Sequence, residues 1–211
     1  TARYAEFYQL GSGAANKRGI DIQTTTGTCD IQYSSIHDFI VTNSIGIYVS
    51  GSASNGATIS NNVAYNTYLT FITIDATTGT WTVSGNLAIL QLAFLFPLYK
   101  LGDMGGTFTN NIATGSIYTG IELAQSAAPV SFSGNKAHSN GSFGLYQSVQ
   151  IDGATFTATT VWRNNDSGVR LNENMHNCTF AGVTAFGNTT NNFSFGFLAG
   201  RYFKILVTDA V

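Results

Sequence analysis

Apolar and polar residues alternate along this chain in short bursts, and the bursts recur at a fixed interval. "TFTNNIA" at 107–113 and "SFSGNKA" at 131–137 lie 24 residues apart, each with a Phe, an Asn and an Ala at matching places. Aligning the apolar centre of every such unit gives the column Phe7, Ile31, Ile59, Val83, Phe108, Phe132, Phe156 and Phe180. The steps are 24, 28, 24, 25, 24, 24 and 24 residues, and the long one is ascribed to the polar insert "SGSASN" at 50–55. Gly120, Gly144 and Gly168 form a second column at the same interval.

A period of this length signifies stacked supersecondary units that cannot bury their faces alone. The content of each unit says which kind. "GIYVS" at 46–50, "TGIEL" at 119–123 and "ATFTAT" at 154–159 alternate with period two, and Gly, Asn and Ser separate them. These are strand and turn signals, and no sustained 3.6-residue period competes with them. The fold expected is all-β: one right-handed parallel β-helix domain over residues 1–211, with about eight coils of ~24 residues and a length of ~38 Å.

In such a coil, equivalent residues stack at the strand spacing of ~4.8 Å. Asn62, Asn86, Asn111 and Asn135 then share one turn as an asparagine ladder, because a buried amide needs partners. Phe108, Phe132, Phe156 and Phe180 form an internal aromatic ladder. Ala64, Ala88, Ala113, Ala137 and Ala185 keep a third column small, with Val161 as the exception. Cys29 and Cys178, six rungs apart, stand ~29 Å from one another, too far for a disulfide.

Composition narrows the partners. Only 9% of residues are charged and the net charge is −2, with 23 glycines against two prolines. The basic residues are scattered, which argues against nucleic acid. The longest apolar run, "LAILQLAFLFPLY" at 87–99, contains Gln91 and Pro97 and is too short to span a bilayer, so membrane insertion by this segment is not expected. There is no initiator Met or signal peptide and the chain stops at "KILVTDAV", so it is read as a segment of a longer protein. Uncovered ends of a β-helix expose sheet edges, so flanking coils or domains, or end-to-end stacking with other chains, are the expected partners.

Chemistry is sparse. Glycoside hydrolysis requires two carboxyls at a defined separation, yet the acids Asp21, Asp30, Asp38, Asp75, Asp103, Glu122, Asp152, Asp166 and Glu173 are dispersed. "NND" at 164–166 matches one element of a pectinase-type site, and the D-D, G-H-G and R-x-K elements are missing. No catalytic residue, metal set or cofactor is assigned. His37 and His138 occupy equivalent positions four rungs apart, and His176 sits in a turn. One constellation remains: Glu122, Tyr146 and Arg170 fall in one column on three consecutive coils, where a sugar could meet an aromatic face flanked by opposite charges. The competing reading is a solvated face with a weak ion pair. Asn140, Asn165, Asn177, Asn188 and Asn192 begin N-glycosylation sequons, and Asn140, Asn165 and Asn188 are expected to line one edge.

The stretch "CDIQYSSIHDFIVTNSIGIYVSGSASNGATISNNVAYN" at 29–66 resembles the β-helix region of fibrocystin, fibrocystin-L and the cell-migration-inducing hyaluronidases. The likeness continues through "TFITIDATTGTWTVSGNLAIL" at 70–90 and "FSGNKAHSNGSFGLY" at 132–146. Two departures stand out: "YLTF" at 68–71 has no His, and "IDA" leaves Asp75 alone where the family tends to have "EDG". The resemblance implies fibrocystin-like architecture on a secreted or membrane-anchored ectodomain, and does not imply hyaluronidase activity. The function expected is a non-catalytic structural or adhesive module at the cell surface or outside the cell, in a glycosylated coat or filament. The alternative is a carbohydrate-binding or polysaccharide-cleaving β-helix using one outer face.

Overall fold

A computed structural model describes residues 1–10, 19–23, 29–39, 44–51, 57–76, 80–93, 95–102, 105–124, 130–172, 175–196 and 206–208. Most of the insert at 50–55 and most of the C-terminal stretch lie outside these residues. The described chain winds through three parallel sheets of nine, eight and eight strands, here A, B and C, and each coil gives one strand to each sheet. Two further short strands, Ile151–Asp152 and Met175–His176, pair between C and A. This is a right-handed parallel β-helix, all-β among the described residues.

Short strands follow from the residue pattern. In Thr155–Thr157 the central Phe156 points inward and is buried, while its threonine neighbours face outward. β-branched and aromatic residues suit such a half-buried pleat. Along sheet A the inward column runs Ala2, Ile31, Ile59, Val83, Phe108, Phe132, Phe156 and Phe180. The phenylalanine rings stack with centroids 5.0, 5.1 and 4.5 Å apart, within the range aromatic pairs favour. Tyr99 continues the line edge-on to Phe108 at 5.2 Å, and its hydroxyl donates to the carbonyls of Asn86 and Ile112.

The first coil is registered differently from the sequence expectation. Ala2, not Phe7, pairs with Ile31; Phe7 belongs to sheet B and pairs with Ile36. The reason lies in where the coil tolerates length. The inward residues of A and B are always five apart: 2 and 7, 31 and 36, 59 and 64, 108 and 113. From B to C the interval is 13 residues for Phe7–Ile20, 11 for Ile36–Ile47 and Ala88–Tyr99, and 8 for Ala64–Ile72 and from Ala113–Ile121 onward. The long step between Ile31 and Ile59 is therefore lengthened mainly in the B–C turn, at 38–46, with one residue left to the insert at 50–55.

In four consecutive coils the A–B turn is bonded on every side. One residue adopts the left-handed conformation (Asn61, Gly85, Asn110 and Gly134 at φ 55 to 65°) and the next is the ladder asparagine. The amide oxygens of Asn86, Asn111 and Asn135 each accept from the backbone N–H and the side-chain amide of the asparagine one coil earlier, and Asn62 Oδ1 accepts from Ser34 N–H. The Asn62–Asn86 contacts are 3.0 and 2.9 Å, and Asn86–Asn111 repeats them at 3.0 Å. The remaining amide hydrogen reaches a sheet A carbonyl, such as Val83 O from Asn111. All four asparagines are buried. Cys178 is buried, Cys29 half-buried, and neither is in a disulfide; burial pushes both thiols above their ordinary pKa.

Candidate functional site

Sheet C carries the richest outer face. Because Ile121, Leu123, Leu145, Val169 and Leu171 point inward and are buried, the intervening Glu122, Tyr146 and Arg170 point outward. They are direct neighbours on three consecutive coils. Their column extends to Lys100, Thr73, Tyr48 and Asp21 on one side and Ser194 on the other.

Side chains from the preceding B–C turn complete the platform. Phe143 lies flat against Tyr146 at 5.0 Å and edge-on to Tyr118 at 6.3 Å. The Arg170 guanidinium sits 5.0 Å above the Phe143 ring, a cation–π contact. Its Nε donates to Asn172 Oδ1 at 2.9 Å, and Asn172 Nδ2 donates to the Tyr146 hydroxyl at 3.1 Å. Ser148 Oγ donates to Glu122 Oε1 at 2.8 Å. Burial first, then the nearby Tyr146 and Glu122, push the Tyr118 hydroxyl above its ordinary pKa, with Arg170 opposing. The cluster thus offers aromatic surface, hydroxyls, an amide, one guanidinium and one carboxylate. That inventory suits contact with a polyhydroxylated ligand, whereas glycoside hydrolysis uses a pair of carboxyls.

A second constellation, on the outer face of sheet B, escapes the sequence reading. His37 is buried, with Nε2 2.9 Å from Glu6 Oε1 and Nδ1 3.0 Å from Asp38 Oδ2. Tyr65 stacks on its ring at 4.5 Å and Tyr8 tilts against the other side at 5.2 Å. Asn66 Nδ2 donates to the free side of Asp38. Placing Phe7 in sheet A puts Glu6 and Tyr8 out of reach of His37; the true pairing sets Tyr8 directly beside it. The useful signal was the five-residue A–B interval, which favours Ala2 and Phe7 as one coil's pair. His138, on the same column, stacks on Trp162 at 4.2 Å, and Trp162 stacks on Phe186 at 6.1 Å.

The sequon asparagines divide. Asn165, Asn177 and Asn192 are exposed and Asn188 is half-buried. Asn140 is 1% exposed, and its Nδ2 donates to Asn164 Oδ1 and Ala113 O. The expected surface line of Asn140, Asn165 and Asn188 is instead a second ladder of Asn140, Asn164 and Asn188 in the B–C turn. Ser116 and Gln91 extend it toward the N-terminus. Gly120, Gly144 and Gly168 are small for this reason: a Cβ there would stand 2.7, 2.8 and 2.5 Å from a ladder amide nitrogen. Both ladders share a local rule, a left-handed residue followed by Asn, as in Ser139-Asn140, Arg163-Asn164 and Gly187-Asn188. That dipeptide at 24-residue spacing was the missed signal.

Comparison with known proteins agrees with this architecture. Residues 98–200 match the family model described as the right handed beta helix region. The matched span contains the Phe108–Phe180 stack, the second ladder and the sheet C platform. The same three-sheet coil extends through the described residues that precede it. No curated protein and no solved structure matches the chain.

Proposed function

We propose that this chain is a non-catalytic structural and adhesive β-helix module of a large extracellular or cell-surface protein of fibrocystin-like type. The observation that carries the reading is the continuity of the two asparagine ladders, which hold successive coils in fixed register. A rod fixed in this way presents side chains at a constant pitch along its axis, a property suited to a surface coat or filament. Exposed sequons at Asn165, Asn177 and Asn192 fit a glycosylated exterior. Flanking coils or another chain stacked end to end are its structural partners. The Tyr118–Phe143–Tyr146–Arg170 platform is the adhesive contact, and glycans are its ligands.

The test is a panel of matrix and plant polysaccharides incubated with the purified chain, with retention and reducing-end release measured together. The expected result is retention of at least one glycan, weakened about tenfold or more in Tyr146→Ala by loss of a stacking ring, with no release. Release by wild type that Glu122→Gln abolishes would replace this reading with an enzymatic one.

A further inference from the structure

Neutral imidazole carries a single N–H, so it can donate at only one of its two nitrogens. His37 faces a carboxylate oxygen at both, Glu6 at 2.9 Å and Asp38 at 3.0 Å. Only the imidazolium satisfies both contacts. The two carboxylates come from different places: Asp38 adjoins His37 in sequence, whereas Glu6 stands on the preceding coil and pairs with Ser35. The rings of Tyr8 and Tyr65 cover both faces of the imidazole. Apart from these rings, the titratable groups facing it are Glu6 from the preceding coil and Asp38 beside it; Tyr65 and Asn66 contribute from the following coil. The geometry therefore joins three coils at one protonation site.

We propose that Glu6, His37 and Asp38 form a proton-dependent clasp, which fastens the coil of Glu6 to the coil of His37 and loosens as His37 loses its proton. The ladder between the two coils is short: Ala2–Arg3, Glu6–Tyr8 and Ile20–Ile22 meet the next coil through two, three and three residue pairs, so one charge-assisted contact is a sizeable share of what joins them. On deprotonation one nitrogen presents a lone pair to a carboxylate oxygen, and a charge-assisted bond becomes a repulsion.

Burial opposes the charge on His37, but its hydrogen bonds to Asp38 and Glu6, with their negative charges, outweigh it and hold the imidazole above its ordinary value. The His37 bond and the Asn66 amide hold Asp38 below its own. The signs follow. A raised histidine contributes stability that is full below its unfolded pKa and lost as pH rises through the folded one. A lowered carboxylate contributes stability present above its unfolded pKa and lost as pH falls through the folded one. The clasp is thus tightest in the acidic range between them and opens toward alkaline pH.

The test is imidazole NMR titration of the full chain together with amide hydrogen exchange, corrected for intrinsic rate. Tyr4 and Gln9 report the clasp, since their N–H groups donate to Gln32 O and His37 O; Leu87 and Ile112 are internal references. The expected result is a His37 titration above the ordinary ~6.5. Across it, protection at Tyr4 and Gln9 falls about tenfold, as for loss of one charge-assisted hydrogen bond, while the references hold. Glu6→Gln, at an exposed side chain that leaves the fold intact, lowers the His37 titration and flattens the response; His138→Asn changes neither. Flat protection across the titration, an unaltered fall in Glu6→Gln, or a fall abolished by His138→Asn would each overturn the proposal.

Discussion

The N-terminal coils and the coils after Phe108 are built on the same A–B turn and differ in the B–C turn. In the later coils a ladder of Ser116, Asn140, Asn164 and Asn188 occupies that turn, and the B-to-C interval stays at eight residues. In the earlier coils the turn is filled by apolar bulk, with Phe39, Phe71 and Leu98 fully buried there, and the interval ranges from 8 to 13. Directional hydrogen bonds fix residue count, because an amide displaced by one position meets no partner. Hydrophobic contact is non-directional and accommodates loops of different length.

Two substitutions and two insertions probe that contrast, the largest effect first. Asn111→Ala removes the acceptor of two Asn86 donors and a donor to Val83 O. At ~1–3 kcal/mol per orphaned buried group, the loss should be about 5 kcal/mol in denaturant unfolding. Phe132→Ala leaves a cavity between two stacked rings and should lower stability by about 4 kcal/mol, as for buried phenylalanine generally. Two glycines inserted between Gly141 and Ser142 displace the second ladder's turn and should cost about 2–3 kcal/mol through broken buried hydrogen bonds. The same pair inserted between Gln9 and Leu10, in the longest B–C turn, should cost under ~1 kcal/mol, near the loop-closure increment. Equal costs at the two insertion points would remove the distinction between laddered and apolar turns.

Much of the fold was legible because the repeat is written in residue types that one position demands. Asn62, Asn86, Asn111 and Asn135 announce a polar column by spacing alone, and the hydrogen bonds run along it. The Phe column reads out the same way. The first coil was misread because Phe7 satisfies the apolar requirement of either sheet; an apolar residue names a depth and not a strand. Asn140 and Asn188 were classed by a three-residue modification pattern, which carries no information about burial. The Glu122, Tyr146 and Arg170 neighbours followed from register, but Phe143 and Asn172 enter the platform through turn geometry that spacing does not encode. The His37 cluster depended on correcting the first coil, so a single register error concealed it.

Register at Ala113 and Ala137 sets a rule for insertion and deletion in this gene. Removing the 24 residues 113–136 joins Ile112 to Ala137 with every remaining strand still opposite a legitimate partner, whereas removing 23 or 25 turns the side chains of the strand at the junction to the wrong face. Viable length change in the laddered part is therefore quantised. The rod can be shortened or lengthened by whole coils through unequal recombination, and its surface spacing is inherited intact each time.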